Sequence, residues 1–176
     1  MGGYAEDALL AGSVTRPHGD FDWLLPRSEL ELRQAQAERL GFSGFDTWGE
    51  AAPGVPFYLF TQTGDLKLEI GIADEEDGAL WVKIHRLFFQ IGDQEPPAGY
   101  RVRMPDDTFD HPPVDIDDVT IRVASPLALY RLRVSIASQG SFGELSDRQR
   151  ESSRLLREKL LADRSESELA PQLEPT

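Results

Sequence analysis

Apolar and polar positions change period several times along this chain, and each change marks an element. From Leu66 to Ala73, the residues Leu66, Leu68, Ile70 and Ile72 alternate with Lys67, Glu69 and Gly71. That is the period of two expected of a strand with one buried face. Leu80 to Ile84 is the return strand, and the run Asp74-Glu75-Glu76-Asp77-Gly78 between them predicts the turn of a hairpin. Upstream, Asp20 to Leu25 is a strand stopped by Pro26, and Phe57-Tyr58-Leu59-Phe60 is another. Ser28 followed by Glu31 has the spacing of a capping box; it predicts a helix running to Leu40, with Gly41 as its stop.

Weaker patterns fill the remainder. Residues 3–11 predict a short helix closed by Gly12, and residues 43–54 a loop rich in Gly and Pro. Residues 92–117 predict loops around one short strand near Tyr100–Val102, followed by a strand from Val119 to Val123. Ser125-Pro126 places an N-cap before proline at the first helical position, and that helix is expected to reach Ala137. A Gly-Ser loop and a charged helix from Glu144 to about Asp163 come next. The expected organisation is one domain over 1–163 and a disordered acidic tail over 164–176, where Ser, Glu and Pro predominate.

Composition narrows the function classes. At 176 residues one core is expected, and no apolar run approaches the roughly 20 residues of a membrane span. The chain has no cysteine, which removes disulfides and thiolate metal sites and fits a cytoplasmic location. Net charge is −13, from 31 acidic and 18 basic residues. That sign repels nucleic-acid backbones and attracts cations, so a cationic small molecule is the expected partner, with neither nucleic acid nor membrane. A homodimer is left open.

The chemistry concentrates near the start. Asp20 and Asp22 are two apart on a strand, so both carboxylates point to one face while Phe21 and Trp23 point to the other. Such paired hard oxygens suit magnesium shared with substrate phosphates. Gly2 and Gly3 open the first helix, where free N–H groups and the helix dipole favour an anion. Arg16 and His18 lie just ahead of the carboxylate pair, Arg16 as a phosphate contact and His18 as a second candidate or a brace for the turn. Trp48, Phe57 and Trp81 are expected to fill core.

Gly2-Gly3-Tyr4-Ala5-Glu6-Asp7 followed by Thr15-Arg16-Pro17-His18-Gly19-Asp20-Phe21-Asp22 resembles the aminoglycoside and lincosamide nucleotidyltransferases of the DNA-polymerase-beta-like superfamily. Those proteins typically read Gly-Gly-Trp-Ala-x-Asp, then Thr-Arg-x-His-x-Asp-hydrophobic-Asp. The resemblance thins but continues to about residue 160. It implies an α+β nucleotidyltransferase fold, a mixed or antiparallel sheet flanked by helices, without the helix and strand that usually precede the glycine pair. It also implies magnesium-dependent transfer of a nucleoside monophosphate from an NTP, with ATP the expected donor, to a hydroxyl of an aminoglycoside-type antibiotic. By the same resemblance Glu69 becomes the third metal ligand or the general base, with Asp65 the alternative on that face. The family usually carries aspartate there and histidine two residues on, whereas this chain has Glu69 and Gly71. Ser125-Pro126 with Arg131 and Arg133 fits the later pattern, which offers either arginine to the triphosphate; Ser146-Asp147-Arg148 fits loosely. The other readings are a transfer-RNA-modifying toxin of a toxin–antitoxin pair and a truncated, non-catalytic relative.

Overall fold

The alternating Leu66–Ala73 segment forms the middle of a seven-stranded sheet. The computed structural model describes residues 2–84, 99–138 and 145–175, apart from the side chains at 48, 49, 51 and 52. Helix α1 spans Gly2–Leu10, strand β1 Asp20–Pro26, helix α2 Leu30–Arg39, and strands β2 to β5 span Asp46–Ala52, Val55–Thr63, Leu66–Glu76 and Ala79–Ile84. Strand β6 (Tyr100–Arg103) precedes a small ribbon of β7 (Val114–Ile116) and β8 (Val119–Ile121). Helices α3 (Pro126–Ser138), α4 (Asp147–Leu161) and α5 (Glu166–Leu169) and strand β9 (Gln172–Pro175) complete the order.

The large sheet runs β2-β3-β4-β5-β6-β9, with β1 joined to β4. All its pairings are antiparallel except β1 with β4, which is parallel. The result is an α+β architecture, as expected. Leu68, Ile70 and Ile72 pack with Leu25, Leu59 and Ala37 on the α2 side. Leu24, Val82, Ile84 and Val102 meet Ala124, Ala128 and Leu132, the last two from α3, on the other side. Burying both faces supplies the main driving force at roughly 25 cal/mol per Å² of apolar surface.

Several boundaries differ from the sequence reading. Strand β4 continues through Asp74, Glu75 and Glu76, and the turn is only Asp77-Gly78, with φ of 52° and 72°. Two left-handed residues are what a tight hairpin requires. Ser28 lies in a 3-10 turn, and the α2 N-cap, Glu29, makes no side-chain cap bond, so the expected capping box there is not formed. Capping boxes do form at Ser146 with Gln149 and at Ser165 with Glu168. The 43–54 loop contains strand β2, paired to β3 through a ladder broken by three register shifts.

Of the tail expected to be disordered over 164–176, residues 164–175 instead carry helix α5 and strand β9. Leu169, 2% exposed, packs with Leu127 and Leu160, and β9 pairs with β6 from Tyr100↔Pro175 to Arg103↔Gln172. Two leucines outweigh the polar composition around them. Phe57 and Trp81 are buried as expected. The expected roles of Trp48, the Gly-Ser loop after α3 and Glu144 lie outside the described residues.

Candidate active site

Parallel pairing of β1 with β4 builds one wall of a cleft of about 800 Å³. Asp20 lies opposite Lys67 and Asp22 opposite Glu69, so four charged side chains share one face of the two strands. Burial pushes the Asp22 carboxyl up to about 6, and the neighbouring carboxylates of Asp20 and Glu69 push the same way. Glu69 accepts hydrogen bonds from the Tyr58 hydroxyl and the Lys67 ammonium. Burial first, and then this bond to Glu69, raise the Tyr58 phenol above its ordinary range. Tyr58 arrives from β3, opposite Gly71, and its partnership with Glu69 was not visible in the sequence.

Helix α1 closes on this wall. Gly2 and Gly3 stand in its first turn rather than ahead of it, and both line the cleft. The close approach itself demands glycine: a Cβ on Gly2 would lie 1.7 Å from Asp22 Oδ2, and one on Gly3 would lie 2.3 Å from His18 Nδ1. Gly2 also holds φ of 72°, a conformation that disfavours side chains.

Asp7, given no role by the sequence reading, organises the loop into β1. Its carboxylate accepts from the Thr15 backbone N–H at 2.8 Å, the Thr15 hydroxyl at 2.6 Å and His18 Nε2 at 2.9 Å. Burial pushes the Asp7 carboxyl up, yet these bonds together outweigh it and hold the group below its usual range. Arg148 reaches the same hub through the Thr15 hydroxyl. His18 is therefore a brace and not a cleft contact: its side chain is 1% exposed, seated behind Gly3 and against the Tyr4 ring. Gly3→Ala is expected to drive a methyl into that fixed ring and to cost about 2–3 kcal/mol. Thermal unfolding should register a fall of roughly 4–12 °C, and an unchanged Tm would contradict this packing.

The same cleft also carries cations. Arg16, Arg133 and Arg148 all line it. Arg133 pairs with Glu6, whose carboxyl burial raises, while Arg133 Nη1 is buried with no hydrogen-bond partner among the described residues. Arg131 does not reach this cleft. It faces the other side of α3, where Nη2 donates to the Glu168 carbonyl at 2.5 Å. Asp65 does not line the cleft either.

Among the described residues no three histidine or carboxylate side chains are grouped to hold a metal ion, and Glu69 is engaged by Tyr58 and Lys67. Asp20 and Asp22 alone still fit a magnesium that keeps several waters and shares substrate phosphates. The observation that fits is the donor set itself: Asp20 and Asp22 both line the cleft, paired with Lys67 and Glu69 on β4.

No known protein-family pattern matches the chain, and neither does any curated protein sequence. Solved structures do. The solution structure of the antibiotic-resistance factor ANT(2'')-Ia is similar at TM-score 0.60 and 21% identity, over 94% of this chain and 74% of that one. The crystal structure of ANT(2'')-Ia in complex with adenylyl-2''-tobramycin is similar at TM-score 0.62 and 23% identity, over 96% and 82% respectively. The likeness establishes that the chain shares the fold of those structures.

Proposed function

We propose that this protein is a magnesium-dependent nucleotidyltransferase, moving a nucleoside monophosphate, with AMP the favoured group, from an NTP to a hydroxyl of a cationic aminoglycoside-type molecule. The observation that carries the reading is that one cleft is lined both by the carboxylates Asp20, Asp22 and Glu69 and by the cations Arg16, Arg133 and Arg148. A triphosphate needs cations around its leaving end and a counterion-bearing carboxylate pair beside its α-phosphorus. The fold shared with a nucleotidyltransferase, one of whose structures holds adenylyl-tobramycin, supports the reading.

Asp20 and Asp22 would hold the magnesium, which when bound supplies positive charge to the phosphoryl oxygens. The first-turn N–H groups of Gly2 and Gly3 face phosphate with no side chain in the way. Arg133, with its unpartnered Nη1, and Arg16 and Arg148 hold the pyrophosphate end. The acceptor hydroxyl oxygen attacks the α-phosphorus in line, and its proton passes to Glu69. The bond from the α-phosphorus to the bridging oxygen breaks, and pyrophosphate departs with the electron pair. Glu69 keeps lone pairs free for this, because a carboxylate has about four acceptor sites and Tyr58 and Lys67 use two. The acidic net charge of −13 suits a polycationic acceptor and disfavours transfer RNA.

Calorimetric titration with each of the four NTPs tests the nucleotide site. Saturable binding that requires magnesium, and weakens by about tenfold or more in Arg133→Gln, is the expected result. Binding that is equal with and without magnesium, or that ignores Arg133, would contradict the assignment.

A further inference from the structure

Away from the cleft, three arginines from three parts of the chain converge on a second cavity of about 270 Å³. Arg103 comes from β6, Arg131 from α3, and Arg164 from the segment leading into α5. From this convergence we infer a second ligand site, one that binds an oxyanion of the phosphate class. It stands whether or not the cleft is a nucleotide site.

In a chain with a net charge of −13, gathering three guanidinium groups around one small space costs electrostatic energy. Local carboxylates offset it only in part: Asp107 favours the charged form of Arg131, and Arg164 acts on Glu168. Among the described residues neither Arg103 nor Arg131 has a carboxylate within ion-pair distance, and Arg164 meets Asp107 only at 3.5 Å. Arg103 Nη1 touches the Gln172 side chain at 3.4 Å. Of the two carboxylates lining the cavity, Glu168 is engaged through Oε2 by the Ser165 hydroxyl at 2.7 Å and the Ser165 N–H at 2.9 Å, and Asp106 is exposed.

Arg131 shows the unmet need most clearly. Its Nη2 is used by the Glu168 carbonyl, but its Nε is buried with no hydrogen-bond partner among the described residues. A buried guanidinium N–H left unpaired is costly, and the guanidinium that carries it belongs to a side chain lining the cavity. Burial, and then the neighbouring Arg164 and Arg103 cations, lower the Arg131 pKa, the direction a bound anion would reverse. Guanidinium forks from several directions match the separate oxygens of a tetrahedral oxyanion. Filling the cavity would also tie the Arg164–Gln172 segment to α3, two residues along from Arg133 in the cleft.

The anion could be free inorganic phosphate or the phosphate group of a monoester, and the test separates them. Phosphate and ribose 5-phosphate are titrated into the full chain at constant ionic strength without magnesium, with calorimetry as the readout. Saturable phosphate binding that weakens about tenfold in Arg164→Gln, and is unchanged in the cleft variant Arg16→Gln, is expected. Binding of phosphate alone identifies a free-anion site; binding of both identifies a site for phosphate esters. Arg131→Gln, checked for folding by circular dichroism, should behave as Arg164→Gln does; should it fail to fold, the partly exposed Arg164 decides alone. No saturable binding of either probe, or binding lost only in Arg16→Gln, overturns the inference.

Discussion

Asp22→Asn is expected to lose at least about 10³-fold in transfer rate while melting at a higher temperature than the parent chain above pH 6. The two effects share one cause. Asp22 sits half-buried beside Asp20 and Glu69, and its carboxyl is raised from 3.8 to about 6. A carboxyl raised in the folded state binds its proton more tightly there, so its stabilisation is complete below pH 3.8 and is lost as pH rises towards 6. At neutral pH the ionised group therefore works against the fold. Asparagine is neutral and nearly isosteric, and it should return about 1 kcal/mol, or a few degrees in Tm. The gain should vanish below about pH 4, where the parent Asp22 is protonated as well. The catalytic loss follows because asparagine brings no charge to a metal. An Asp22→Asn protein that melts lower at neutral pH would contradict the effect on stability, and one that retains transfer would contradict the metal role.

Asp7→Ala should be the most damaging single change outside the catalytic groups, at about 3 kcal/mol. Its carboxylate takes four hydrogen bonds, two from Thr15 and one each from His18 and Arg148. Removing it strands His18 Nε2 in a slot where the side chain is 1% exposed and frees the loop that delivers Arg16 and Asp20. The Asp7 carboxyl is held below its usual range, so its contribution is present above the unfolded value of 3.8 and is lost as pH falls below it. The stability gap between parent and variant, measured by urea denaturation, should be widest near neutral pH and close in acid. A gap that is flat across this range would mean the hub stabilises by packing alone.

What the sequence could disclose depended on how local each signal was. Strands β1 and β4 were legible because period-two alternation and the Asp20/Asp22 pair are local patterns, and the carboxylate wall follows from them once β1 pairs with β4. Strand β2 was hidden because Gly49, Glu50 and Ala51 carry no alternation, and its pairing with β3 shifts register three times. The tail was misread for the opposite reason: composition dominated, yet Leu169 and Leu173 are spaced to meet the core. Arg131 and Arg133 illustrate a harder limit. Two residues apart on a helix they diverge by about 200°, so only the docking of α3 on the sheet decides which enters the cleft. Glu6 and Tyr58 became visible only through tertiary partners, Arg133 and Glu69. The Asp7 hub had a trace in the string Asp7, Thr15, His18, but only its hydrogen bonds define the role.

Mass spectrometry of tobramycin incubated with the protein, magnesium and ATP tests the central reading most directly. Tobramycin or a related aminoglycoside should gain the mass of one nucleoside monophosphate, with pyrophosphate released in equal amount and neither seen with Asp20→Asn/Asp22→Asn. A folded, magnesium-loaded protein that modifies no aminoglycoside with any of the four NTPs would contradict it.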